Sequence, residues 1–370
     1  MARSLLVTGG AGFIGANFTI FWSEQHPEDA IVVLDALTYA GDTASIEPLI
    51  RSGRITFVRG DVCDFDLAAR VLKQHAIDTI VHFAAESHVD RSIASPAQFV
   101  TTNVLGTQTL LDAARSVWRP TPRTLSQRFH HISTDEVYGS LGTADAPFTE
   151  SSPYAPSSPY AASKAAADHL VRAYAHTYGL PCSISNCSNN YGPFQFPEKL
   201  IPLCLLAALH GRPLPIYGTG RNVRDWLHVH DHCRALEAIL LARDTCRTWN
   251  VGGRSESSNI DLVHLLCRTI DAVFTAHPEL AKSFPESPAA RGTPCADLIR
   301  LVADRPGHDF RYAIDPCAIE SGLGFRPRIT LGAGIRATVE WYLENAQWWQ
   351  RDRARELNEV ARRVGGEAIP

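Results

Sequence analysis

Thr8-Gly9-Gly10-Ala11-Gly12-Phe13-Ile14-Gly15 follows the apolar run Leu5-Leu6-Val7 and opens a segment of helical spacing, Gly12–His26. The glycines read as G-x-G-x-x-G at 10, 12 and 15, or as G-x-x-G-x-x-G at 9, 12 and 15. Glycine permits a tight turn and lets a pyrophosphate approach the backbone. The helix N-terminus adds free N–H groups and the positive end of its dipole. The motif recurs by chance in many chains, but here it lies between a strand and a helix, the context it needs. It points to a dinucleotide site.

Outward from this loop, Leu5–Thr8, Ile31–Asp35, Thr56–Arg59, Thr79–Phe83 and Phe129–Ser133 read as buried strands, with helical segments such as Asp66–His75 between them. Strand-helix alternation predicts an α/β fold, a Rossmann-like doubly wound parallel sheet, followed by a smaller C-terminal α/β substrate domain. The predicted sheet domain takes residues 1–185, with segments near 226–257 and 300–315 returning to it; 186–225 and 258–370 form the second domain. Asp35 ends the second strand 20 residues after Gly15. A carboxylate there can hydrogen-bond both ribose hydroxyls and repels a 2′-phosphate, which predicts NAD and not NADP. Asp61, after the third strand, is placed to meet the adenine edge.

The 370 residues are 45% hydrophobic and 20% charged, the balance of a globular protein with room for a large core. A net charge of −4 excludes a polycationic grip on nucleic acid. Nine cysteines without a CxxC pair argue against a disulfide framework and for a reducing compartment. No run reaches the ~18 apolar residues that a membrane span needs, and Leu5–Val7 is too short for a secretory leader. The expectation is a soluble cytoplasmic protein with no membrane or nucleic-acid partner.

Tyr160 and Lys164, in Ser158-Pro-Tyr-Ala-Ala-Ser-Lys164, are four residues apart and share a helix face. A neighbouring ammonium would lower the phenol's pKa toward neutrality, so that the phenolate takes a proton from a sugar hydroxyl as hydride leaves. Thr134, after the strand Phe129–Ser133, supplies the hydroxyl that completes this constellation.

These motifs together resemble the extended short-chain dehydrogenase/reductase family, and within it the dTDP-glucose 4,6-dehydratases. Epimerases of the family also carry the glycine loop, the Ser/Thr and the Tyr-Lys pair. What separates a dehydratase is Ser133-Thr-Asp-Glu-Val-Tyr-Gly139, with Asp135 and Glu136 directly after Thr134. Eliminating water takes a base and an acid, whereas epimerisation takes only reversible hydride transfer. The resemblance implies that Tyr160, Thr134 and Lys164 oxidise C4, Glu136 removes the C5 proton, Asp135 protonates the leaving 6-hydroxyl, and the hydride returns to C6. It implies cofactor contacts at Gly9, Gly12, Phe13, Ile14, Gly15, Asp35, Leu37, Thr38, Asp61, Val62, Ala84, Ala85, Ser87, Thr102, Tyr160, Lys164 and Asn190. It implies nucleotide-sugar contacts at Ser87, His88, Thr134, Asn189, Lys199, Leu200, Pro215, Tyr217, Arg224, Asn259, Arg305 and His308. Arg224 is the expected diphosphate clamp, because a guanidinium grips two phosphate oxygens. A homodimer feeding a deoxysugar route such as that to dTDP-rhamnose is the further expectation. The alternatives are a UDP- or GDP-linked 4,6-dehydratase, a 4-epimerase or decarboxylase, or a silent dinucleotide sensor.

Three further stretches carry expectations. His228, His230 and His232 alternate and would share a strand face, as a zinc site needs, but Asp231 and Cys233 would point away, so no metal is expected. Thr121–Gln127 and Phe284–Pro294, rich in polar residues and proline, read as surface loops, the second mobile. Leu331–Asn345 reads as an amphipathic helix, with Trp348 and Trp349 packed beside it.

Overall fold

The computed structural model describes residues 2–118, 127–242 and 246–350, so most of the Thr121–Gln127 stretch lies outside the described residues. The strands are β1 (Ser4–Thr8), β2 (Ala30–Asp35), β3 (Thr56–Arg59), β4 (Thr79–His82), β5 (Arg128–Thr134), β6 (Cys182–Cys187), β7 (Asn189–Tyr191), β8 (Leu214–Tyr217), β9 (Val223–His228), β10 (Thr248–Val251), β11 (Glu256–Ser258) and β12 (Ile299–Val302). A seven-stranded sheet runs in the order β10-β6-β5-β4-β1-β2-β3. Every pairing in it is parallel.

This sheet forms because its strands are apolar on both faces, as a sheet covered by helices on both sides requires. Alternate residues divide between two cores. Leu6, Val32, Leu34, Ile80, Phe129 and Ile184 pack with Leu110, Leu111 and Val171 on one face. Leu5, Val7, Ile31, Val33, Val81 and Ile132 pack with Phe18, Trp22, Val229 and Leu236 on the other. Each such side chain contributes roughly 1.5–3 kcal/mol when fully buried.

A third core lies outside the sheet. Helices Leu200–Leu209, Asn259–Ala276 and Leu331–Glu344 bury Leu205, Leu206, Leu266, Ile270, Ile335 and Val339 against Tyr191 and Trp349. β11, β9 and β7 form a three-stranded sheet beside it, and β12 pairs with β8.

Two expectations are corrected. Phe284–Pro294 is a packed segment: Phe284 and Ser287 are buried, Pro288–Arg291 forms a helical turn, and Ala289 and Ala290 lie against the third core. The histidines at 228, 230 and 232 do not share a strand. β9 stops at His228, whose Nδ1 caps the helix Val229–Leu241 by accepting from His230 N at 3.2 Å. Among the described residues no cluster of metal-ligating side chains forms.

Candidate functional site

The glycine loop turns at the C-terminal end of β1. Gly9 has φ +70°, and a Cβ there would meet Ala84 N at 2.6 Å. A Cβ on Gly15 would lie 2.2 Å from Gly9 O, so only glycine lets the helix Phe13–Gln25 start this close to the strand. Gly12 caps that helix without any side-chain hydrogen bond. The orphan amides at Phe13 and Ile14 are therefore left for an anion, as a dinucleotide pyrophosphate requires. Asp35 closes the cradle from β2, accepting from Ala11 N at 2.9 Å and Leu37 N at 2.8 Å. Burial pushes its carboxyl up, and these two N–H bonds pull it back. Leu37 has φ +52°, which turns the chain into Thr38. At the end of β3, Asp61 is exposed and accepts from Cys63 N at 2.9 Å, while Val62 is buried. Ala84, Ala85 and Ser87 follow β4, and Thr102 sits in the wide helical turn Val100–Leu105. Asn190, on β7, offers its Oδ1 to His232 Nδ1 at 2.9 Å. These residues fit a dinucleotide.

Thr134 is the last residue of β5, and Asp135 and Glu136 begin the turn Asp135–Tyr138. Thr134 Oγ1 donates to Asp135 Oδ1 and accepts from Glu136 N, both at 3.3 Å. Tyr160 and Lys164 lie on the helix Pro159–Tyr178, whose N-cap Ser158 accepts from Ala161 N. Lys164 Nζ donates to Ile132 O at 2.7 Å and lies 3.2 Å from His131 Nε2. Sequence reasoning expected the Tyr160 phenol near neutrality. Instead burial, and then the Glu136 carboxylate, hold it well above the ordinary phenol range. Burial also draws Lys164 down to about 8, against the pull of Asp168.

The two acids differ. Burial pushes Asp135 well up, reinforced by Glu136 and Asp225, and its Oδ2 is buried with no hydrogen-bond partner. Burial raises Glu136 too, but Arg305, Lys199 and Arg224 face it and favour its charged form. Asp135 is thus placed to keep a proton and Glu136 to lose one.

Of the expected sugar-nucleotide residues, several gather around Asp90, which sequence reasoning missed. Tyr217 donates to Asp90 Oδ2 and Arg305 to Asp90 Oδ1, each at 3.1 Å. His308 lies against the Tyr217 ring and bonds Asp304 through Nδ1 at 2.6 Å. Lys199 Nζ donates to Ser87 O at 2.9 Å, and His88 Nε2 lies 3.6 Å from Glu198. Lys199 caps the helix that begins at Leu200. Asn189 Oδ1 is buried without a partner. Pro215 lies on β8, and Asn259 opens its helix with its N–H on Asn222 O. Arg224 is buried over the Tyr312 ring, 4.2 Å from guanidinium to centroid, and donates to Val223 O, Asp309 O and Phe310 O. Backbone carbonyls thus hold the expected clamp. Asp90 lies two residues after His88, one of the expected contacts, and its partners Tyr217 and Arg305 were themselves expected, which was the available signal.

A parallel sheet with a glycine cradle at one strand end, and a Tyr–Lys stripe facing the Thr at another, defines a protein of the short-chain dehydrogenase/reductase class. The chain belongs to the family described as GDP-mannose 4,6 dehydratase, whose profile matches residues 6–338. It is 51% identical over 350 residues to the dTDP-glucose 4,6-dehydratase of Neisseria meningitidis serogroup B, covering 94% of this chain and 95% of that one. Among solved structures it is similar to DesIV, the dTDP-glucose 4,6-dehydratase of Streptomyces venezuelae determined with NAD bound. The TM-score is 0.81 at 45% identity, over 94% of this chain and 99% of that one. The dTDP-glucose 4,6-dehydratase of Bacillus anthracis in complex with NAD also matches, with a TM-score of 0.81 at 39% identity over the same shares.

Proposed function

We propose that this chain is an NAD-dependent dTDP-glucose 4,6-dehydratase, converting dTDP-glucose to dTDP-4-keto-6-deoxyglucose. The observation that carries this reading is the adjacent acid pair Asp135–Glu136, the first buried and the second half-buried, in contact with Thr134 and faced by Arg224, Arg305 and Lys199. A 4-epimerase has no use for two such acids. When bound, NAD supplies a reversible hydride acceptor and is regenerated in the cycle.

The chain's own residues do the rest. In its ionised form, which the Lys164 ammonium favours against burial and the Glu136 carboxylate, Tyr160 takes the 4-hydroxyl proton. The 4-ketone acidifies the C5 proton, which Glu136 removes. Asp135 donates its proton to the departing 6-hydroxyl. Arg305 and Lys199 lie beside Glu136, where a diphosphate-linked sugar would bring its negative charge.

The reading extends to a homodimer acting in the cytoplasm and serving a deoxysugar route such as that to dTDP-rhamnose. Val100 and Leu105, large apolar residues exposed on the segment packed against the Tyr160 helix, support the dimer. No helix among the described residues is long and apolar enough to cross a membrane. The deciding experiment incubates the purified protein with dTDP-glucose in D₂O. Loss of water with deuterium at C5 is the expected result. Product without C5 deuterium removes the elimination scheme, and turnover of UDP- or GDP-glucose alone removes the thymidine assignment. Sedimentation velocity tests the dimer.

A further inference from the structure

The helix that carries Tyr160 and Lys164 places a third polar side chain one turn further along the same face, Asp168. Asp168 is fully buried and Lys164 nearly so. Asp168 Oδ2 accepts from Ser133 Oγ at 2.9 Å and from the Tyr154 hydroxyl at 2.8 Å. The Tyr154 oxygen itself accepts from Arg172 Nη2 at 2.6 Å and Asn186 Nδ2 at 3.1 Å, so its hydrogen is left for Asp168. Two hydroxyl donors on one oxygen, with Arg172 behind them, mark an ionised carboxylate. The other oxygen, Oδ1, makes no hydrogen bond and lies 3.4 Å from His131 Nε2. That same nitrogen is 3.2 Å from Lys164 Nζ.

We propose that Asp168 is the buried counter-charge of Lys164, a positioning residue that acts across His131 to keep the ammonium in place beneath Tyr160. The groups facing Lys164 from each packed element leave Asp168 this part. β5 presents His131 and β4 presents His82, both held neutral by burial. β6 presents Cys187, whose thiol burial pushes up to about 12, and the lysine's own helix presents Tyr160. A buried ammonium without a carboxylate is strongly disfavoured. Asp168 also ties three pieces of the site together. It holds Ser133, the residue before Thr134, to the helix of Tyr160 and Lys164 and to the Tyr154 loop.

The test has two arms, and only the second rests on the dehydratase reading. In the first, urea unfolding compares the full chain with Asp168→Asn, Lys164→Met and the double variant. A charge pair predicts that the double variant loses less of the midpoint than the two single losses combined, or folds where Asp168→Asn does not. Additive losses overturn the proposal. In the second, kcat for the nucleotide sugar is followed against pH. Without the Asp168 charge, Lys164 gives up its proton at lower pH, so the alkaline limb of Asp168→Asn moves to lower pH by about one unit with KM unchanged. Asp168→Glu restores the limb. An unmoved limb, with only a loss of stability, overturns the positioning role. If the wild-type chain turns over no nucleotide sugar, the dehydratase reading fails, and the unfolding arm still decides the role of Asp168.

Discussion

Tyr39, in the loop after β2, donates its phenolic hydrogen to Glu198 Oε1 at 3.0 Å and so links the rim of the glycine cradle to the segment leading into the third core. The Arg91 guanidinium lies 3.5 Å from the centroid of the Tyr39 ring, and Phe196 packs edge-on against it. Glu198 is also within reach of His88 and Lys199. Three stretches of chain far apart in sequence, around Tyr39, Arg91 and Glu198, therefore meet at the loop that begins at Asp35. Tyr39→Phe keeps the ring and its cation–π contact but leaves a buried carboxylate short of one donor, a loss of about 1–2 kcal/mol. The expected outcome is about tenfold faster loss of NAD from the holoenzyme, read as the cofactor retained through gel filtration. Unchanged retention would show that this bridge does not hold the cofactor.

Gly15→Ala tests the cradle directly. The added Cβ would lie 2.2 Å from Gly9 O and 2.9 Å from Gly10 Cα, both backbone atoms that no rotamer change can move. Overpacking of this kind costs about 1–3 kcal/mol and displaces the amides that would meet the pyrophosphate. The variant is expected to purify with little NAD while its far-ultraviolet circular dichroism stays near wild type. A full complement of cofactor would show that the loop accommodates the methyl.

The acid pair predicts a split phenotype. Glu136→Gln keeps Thr134, Tyr160 and Lys164, so oxidation at C4 persists while elimination stalls. Reduced cofactor then accumulates, visible at 340 nm, with overall turnover down by at least about a hundredfold. Asp135→Asn removes the proton donor, and turnover falls similarly. With Glu136 raised less than Asp135, wild-type kcat falls at low pH as Glu136 gains a proton, while Asp135 keeps its own and the alkaline limb belongs to Lys164. Full activity in Glu136→Gln would take the base role from Glu136.

How far the sequence was legible depends on the range of the interaction. The strands of the large sheet were readable because burial on both faces leaves an unbroken apolar signature, and the glycine cradle because its constraint lies within a few residues. Phe284–Pro294 misled because its composition is that of a loop. Its order comes from Phe284 stacked on Trp349, 6.3 Å between ring centroids, a contact that local pattern does not carry. The histidine run misled because a histidine seldom caps a helix, yet His228 does so and ends the strand there. Arg224 was singled out by type and position, but its grip on three backbone carbonyls depends on the 309–312 segment folding back over β9. Asp90, Glu198 and Tyr39 went unselected because each is defined by partners distant in sequence.

Buried histidines set the acid sensitivity of the fold. His130 is fully buried between β5 and β6, with Nδ1 2.8 Å from Ser183 Oγ and Nε2 3.0 Å from Ser185 Oγ. Burial, with Arg128 nearby, pushes it down to about 3, and burial does the same to His82 and His232. The unfolded chain binds a proton at each of these near pH 6.5, whereas the folded chain refuses it until about pH 3. Stability from these groups is therefore complete above pH 6.5 and drains away as the pH falls toward 3, by up to ~1.4 kcal/mol per pH unit for each histidine. The carboxyls of Asp135, Glu136 and Asp168 have raised values and act with the opposite sign, so the total slope is smaller than three histidines alone would give. His130→Gln removes one titrating group while its amide can still meet a serine hydroxyl. The variant is expected to be less stable at pH 7 and to lose stability less steeply on acidification, by about one proton's worth of slope between pH 6 and 4. Urea unfolding midpoints at several pH values measure this, and a slope equal to wild type would mean that His130 is not held neutral in the folded chain.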